Sequence, residues 1–184
     1  MKRTVVVAMV IVFSTAGFAS AQEQSQPIFL SIAAQLDIPL PPDPNLFRLG
    51  AGVTVGINYV FRFFHPLSAG LSVDYHLGPL QHDDLGSLGS LSVISAGANL
   101  MLRLRFLKQI EPYLSVGAGY FYTFENGDPS SWATNLVLNG CIGAGLRATP
   151  TLTVGIQSEY RRYCSLYHLI GAGVFMDIWL GRVK

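Results

Sequence analysis

The segment Leu46 to Phe63, LFRLGAGVTVGINYVFRF, carries an apolar residue at every second position: Phe47, Leu49, Ala51, Val53, Val55, Ile57, Tyr59, Phe61 and Phe63. Between them stand Arg48, Gly50, Gly52, Thr54, Gly56, Asn58, Val60 and Arg62. Successive side chains of a β-strand point to opposite faces. One face of this segment is therefore free of charge, and the other is lined by glycine, hydroxyl, amide and guanidinium groups. The apolar face is aliphatic in the middle and aromatic at its ends, with Phe47 at one and Tyr59, Phe61 and Phe63 at the other. A lipid-facing strand has that order, apolar at mid-bilayer with rings at both interfaces. The period predicts a membrane-crossing strand of a small β-barrel.

The composition points the same way. The 184 residues are 50% hydrophobic and only 12% charged, about half the charge of an ordinary soluble domain. Met1 to Ala21 begins with Lys2 and Arg3, continues with the apolar run Val5 to Phe13 and ends in Ala19-Ser20-Ala21. This is the pattern of a secretory signal peptide with an A-x-A cleavage site. The expected division is a cleaved leader, residues 1–21, and one barrel domain, residues 22–184. No cysteine closely follows the apolar run, so lipid attachment is not indicated. Without Lys2 and Arg3, ten of the 12 basic residues remain against 11 acidic ones, a near-neutral balance that gives no support to a nucleic-acid partner. No later stretch reaches the roughly 18 continuous apolar residues of a membrane helix. An exported, apolar chain of this kind satisfies its backbone in lipid by closing a barrel.

The alternation recurs along the chain. Strands are expected at Ile28 to Ile38, Leu46 to Phe63, Ser68 to Gly78, Leu91 to Phe106, Pro112 to Phe124, Trp132 to Ala148, Leu152 to Tyr160 and His168 to Gly181. Proline is unsuited to a ladder interior, so Pro39 to Asn45 reads as the first loop and Pro79 to Ser90 as another. The fold class expected is all-β, an eight-stranded antiparallel up-and-down transmembrane barrel. An even count returns both termini to the periplasm, where the short turns belong, and puts the longer loops outside. The first three of those loops hold Asp43, Asp83, Asp84, Glu125 and Asp128, while Arg161 and Arg162 are assigned to the last.

Candidate functional residues come from the inward face. By alternation Asp37, Arg48, Arg62, Asp74, Arg103, Arg105, Arg147, Glu159 and Asp177 line the lumen, either as an internal salt-bridge network or along a solute path. Eight strands favour the network, because such a barrel is just wide enough for its own side chains. Gly-Ala-Gly occurs at residues 50–52, 117–119, 143–145 and 171–173 with the glycines inward. That room is filled either by arginines and rings of neighbouring strands or by a small ligand. Cys141 is expected in a strand facing the lumen and Cys164 in a loop, a separation that disfavours a bridge. Glu159, Ser165 and His168 contain the residue types of an acid, nucleophile and base set near one rim. Outer membrane lipid A deacylases place a histidine shortly before a serine and asparagine. Here His168 is followed by Leu169, Ile170 and Gly171, so that motif is absent. His76, His82, Asp83 and Asp84 have no spacing of a defined metal site.

The leader, the eight amphipathic strands and the mid-strand glycines resemble the small eight-stranded outer membrane proteins, the OmpA-transmembrane, OmpX and OmpW-like group. The resemblance implies residence in the outer membrane of a diderm bacterium, with outer membrane lipids and the barrel-insertion machinery as partners. It further implies an anchoring, surface-interaction or small-solute role, an extracellular ligand or small solute, no cofactor and no enzymatic activity. Members commonly end in an aromatic residue, whereas this chain ends Gly181-Arg182-Val183-Lys184.

Overall fold

The computed structural model of the chain describes residues 28–40, 49–82, 86–104, 109–125, 135–164 and 167–180. The leader, Arg48 and Arg105, the loop aspartates Asp43, Asp83, Asp84 and Asp128, and Ser165 lie outside these residues. Eight strands form: β1 Ile28–Leu40, β2 Gly50–Val60, β3 Leu67–His82, β4 Gly86–Arg103, β5 Ile110–Glu125, β6 Asn135–Thr149, β7 Leu152–Tyr163 and β8 Tyr167–Leu180. Each pairs antiparallel with the next, and β8 closes on β1, so the sheet is a barrel without an edge. Closure satisfies every ladder without help from solvent, which lipid requires.

The register sets the dimensions. The row of directly paired residues that starts at Phe29 passes through Asn58, Gly70, Asn99, Gly117, Asn139, Arg161 and Leu169. It returns to β1 at Pro39, ten residues beyond its start (29 to 39). Eight strands with that displacement are tilted by about 40°.

Several boundaries differ from the expectations. The loop expected over Pro79 to Ser90 is a hairpin instead, with β3 reaching His82 and β4 starting at Gly86. Pro79 stands opposite Ser90, and the irregularity is taken up by a bulge at Leu80/Gln81 and by Gly89 at φ 108°. A proline near the end of a strand removes one donor without ending the pairing. In the other direction, β2 stops at Val60. Phe61 to Pro66 is a turn closed by Phe61 N–H to the Leu67 carbonyl (3.0 Å) and Leu67 N–H to the Phe64 carbonyl (2.9 Å). Alternation of apolar residues continues through this turn and so mimics a longer strand. Arg161 and Arg162, expected in a loop, belong to β7.

The barrel is apolar outside. Val55, Leu71, Val116, Ile142, Ile156 and Val174 are exposed at mid-wall. Tyr59, Phe63 and Phe64 are exposed toward the short-turn end, and Tyr75, Tyr120, Tyr122 and Tyr160 toward the loop end. An aliphatic band between two aromatic girdles is the outer surface of a membrane barrel.

Close packing of paired glycines is a condition of this sheet. Gly97 faces Gly119 and Gly145 faces Gly155 across their ladders, and a Cβ on Gly97 would come within 2.6 Å of the Ala118 carbonyl oxygen. Backbone cannot step aside as a side-chain tip can. Gly97→Ala is expected to lower the urea midpoint of the refolded barrel, by about 1–3 kcal/mol in stability. Gly140→Ala, which meets only the Ser115 carbonyl at 3.9 Å, is expected to leave the midpoint in place.

Candidate functional site

The candidate site is the lumen, and alternation decides which side chains enter it. Asp37, Asp74, Arg103, Glu159 and Asp177 are buried inside, and Arg147 is half-buried at the short-turn end. Arg62 is not a lining residue. It falls in the turn between β2 and β3 and is exposed, because β2 ends before reaching it. The register sorts the charged residues into two clusters at different heights.

The cluster near the short-turn end is centred on Arg103, the last residue of β4. Its guanidinium pairs with Asp177 and, at 3.3 Å, with Glu111. Glu111 Oε1 also forms an ion pair with Arg147, whose Nε lies 3.4 Å away. Rings enclose the cation, with Arg103 Cζ 4.9 Å from the Phe29 centroid and 5.6 Å from those of Tyr113 and Trp179. Trp179 Nε1 donates to Thr153 Oγ1 at 3.3 Å. Electrostatic attraction to ring faces adds to the ion pairs at this buried site.

The cluster toward the loop end is centred on Arg161, which is 1% exposed. Its Nη2 donates to Glu159 Oε1 (2.7 Å) and Asp74 Oδ1 (3.0 Å), and its Nη1 to Ser95 Oγ (3.2 Å). Ser95 in turn donates to Asp74 Oδ2 at 3.1 Å, Thr54 to Asp74 Oδ1 at 2.7 Å, and Asn139 Nδ2 to Glu159 Oε1 at 2.9 Å. Beside it, His76 Nδ1 lies 2.6 Å from Asp37 Oδ2, and Gln35 Nε2 donates to Asp37 Oδ1 at 2.8 Å. Above this layer Leu91, Val93, Phe121, Val137, Tyr163 and Leu169 form a buried apolar cluster.

Inward glycines make this filling fit. Along the row Tyr113, Gly143, Gln157, Gly173, Gln35, Gly52, His76, a long side chain alternates with a glycine on each successive strand. A Cβ on Gly143 would strike the Tyr113 ring, and one on Gly52 the His76 ring. Rings, an amide and an imidazole thus occupy the room that the Gly-Ala-Gly segments leave. The space remaining between the two clusters is about 60 Å³ and is lined by Ser31, Asn58, Ser115, Asn139, Cys141 and Asp177 among others. A water needs roughly 10–15 Å³ of such space, so the cavity has room for a few ordered waters. Asn58 Oδ1 and Asp177 Oδ1 find no partner among the described residues and offer those waters acceptors.

Alternation applied further would have found what sequence reasoning missed. Arg161 and Tyr163 continue the inward series of Glu159, yet two adjacent arginines read as loop. Glu111 continues the series of Tyr113 back past Pro112. His76 was inward by alternation, but its Asp37 partner lies on another strand. The rim set is not assembled: Glu159 is buried in the lumen and His168 is on the opposite face of the wall. Among the described residues no group of three His, Cys, Asp or Glu is placed to hold a metal. Cys141 and Cys164 are free thiols, and Cys141 lies 3.5 Å from Tyr113 Oη.

Two experiments test the packed lumen. Arg161→Met leaves Asp74 and Glu159 buried without their cation and is expected to cost about 3–5 kcal/mol of stability by urea titration. Adding Asp74→Asn and Glu159→Gln should recover most of it. In a Cys164→Ser background, Cys141 is expected to stay unreactive toward a bulky aromatic disulfide until the barrel unfolds. Rapid labelling of the folded barrel would show a wider passage.

No protein-family model and no curated protein matches the chain. Solved structures do. Neisserial surface protein A is 13% identical, with 83% of this chain and 97% of that one covered and a TM-score of 0.66. OprG from Pseudomonas aeruginosa is 10% identical over 87% and 99%, TM-score 0.60. Ail, the attachment invasion locus protein of Yersinia pestis, solved in complex with the heparin analogue sucrose octasulfate, is 14% identical over 85% and 99%, TM-score 0.54. The likeness is one of fold: this chain has the fold of the small bacterial outer membrane β-barrels.

Proposed function

We propose that the protein is a non-catalytic integral outer membrane protein whose barrel is a closed plug and whose loop end makes contact with partners outside. The observation that supports this reading is the lumen. Two cation-centred clusters and an apolar layer follow one another along the axis, and the space between them is about 60 Å³. A solute would have to break Arg103 from Asp177 and Glu111, then Arg161 from Asp74 and Glu159. Opening buried pairs of this kind costs about 3–5 kcal/mol each.

The loops set the kind of partner. With Arg161 turned into the lumen and Arg162 onto the wall, the loop-end connecting segments hold Asp43, Asp83, Asp84 and Asp128 against one base, Arg48. Acidic loops attract a cationic or metal-bridged surface and repel a polyanion. The sulfated ligand in the Ail structure is therefore not the chemistry expected for this chain.

Refolded protein in a planar bilayer is expected to give no discrete conductance steps; reproducible single-channel steps would replace the plug with the narrow channel or carrier reading. On a heparin column at physiological salt the protein should flow through, and retention would overturn the acidic-loop assignment.

A further inference from the structure

The outer wall carries a single permanent charge among its described strand residues. Among the described strand residues that face outward, Arg162 is the only one with a permanent charge, and no carboxylate shares that face. It stands directly opposite His168 across the β7–β8 ladder. Side chains of a directly opposed pair on one face lie within contact range. Tyr160, two residues along the same face, joins its Oη to His168 Nδ1 at 2.5 Å, with ring centroids 5.9 Å apart. When the phenol donates to Nδ1, the imidazole proton sits on Nε2, and protonated histidine also carries one there. Guanidinium and Nε2–H thus form adjacent donors, and the other outward neighbours are Leu138, Ile170 and Leu40.

Depth decides what such a pair is for. An arginine on the lipid face costs about 2–4 kcal/mol at the midplane and about 0–1 near the interface. By the register Arg162 lies level with the exposed tyrosines of the loop end, at headgroup depth. No carboxylate among the described residues pairs with it there, and a forked guanidinium binds a phosphate through two parallel hydrogen bonds. Toward the membrane centre the next two outward pairs are Tyr160 with Ile170 and Ser158 with Ala172, so the wall below the cation carries no charge at acyl-chain depth. A free anion would have to pass the acidic loops to reach a site flanked by hydrocarbon. An anion already tethered to an acyl chain arrives within the leaflet.

We propose that Arg162, His168 and Tyr160 form a headgroup site for a phosphate-bearing lipid of the leaflet at the loop end. The site rests on the membrane reading of the barrel and is independent of what the loops contact.

The test uses the refolded full barrel domain in phosphatidylcholine vesicles containing a minority of phosphatidic acid, whose phosphate monoester is unshielded. Heat-modifiable gel migration first reports insertion; its absence overturns the membrane reading itself. Lipid retained after detergent extraction is then counted by native mass spectrometry. Wild type should retain phosphatidic acid in preference to phosphatidylcholine, and Arg162→Gln should retain about tenfold less, the loss of one charge-assisted hydrogen-bonding group. Arg162→Lys, a point charge without the fork, should fall between. Arg62→Gln, which removes the same charge from the short-turn end, should match wild type. Equal retention by wild type and Arg162→Gln, or an equal fall in Arg62→Gln, overturns the site. Displacement of the lipid by millimolar inorganic phosphate overturns its assignment to a tethered headgroup.

Discussion

Closing eight strands with a displacement of ten residues (29 to 39) leaves a lumen only as wide as its own side chains. Every long side chain that enters needs a gap beside it. The glycines provide the gaps, and pairing places each one next to the side chain that uses it: Gly143 beside Tyr113, Gly52 beside His76, Gly173 beside Gln35. The lumen therefore has the character of a protein core with polar atoms in it, and the hydrophobic surface lies outside.

Polar filling in a narrow, buried space carries a strict condition. A buried cation is tolerated only when carboxylates and hydrogen-bond partners surround it. Arg161 meets this with Asp74, Glu159 and Ser95, and Arg103 with Asp177, Glu111 and three rings. Each cluster draws on at least three strands, so it joins distant parts of the ladder and resists slippage of register. The same clusters obstruct the axis. Stability and closure of the lumen are one property here.

The outer wall obeys the complementary condition. Alternation keeps charge off it at every described strand position except Arg162, which lies level with the exposed tyrosines of the loop end. Tyr160 and His168 hydrogen-bond to each other beside it.

Much of this was legible in the chain itself. The period of two in Leu46 to Phe63 and its seven counterparts determined the strand count, the all-β class, and the inward face of Asp37, Asp74, Arg103, Arg147, Glu159 and Asp177, because side-chain direction along a strand is a local property. It failed where local patterns mislead: apolar alternation ran past Val60 into a turn and carried Arg62 with it, prolines suggested a loop where β3 and β4 continue to pair, and adjacent arginines hid the end of β7. What no local pattern could decide was register. Whether Arg161 would meet Asp74, 87 residues away, or Tyr113 would lie over Gly143, depends on the offsets accumulated across all the strands and on their closure. Which residues are inside was written in the sequence by itself. Which of them touch was decided only when the sheet closed, since closure is a condition on the whole circumference at once.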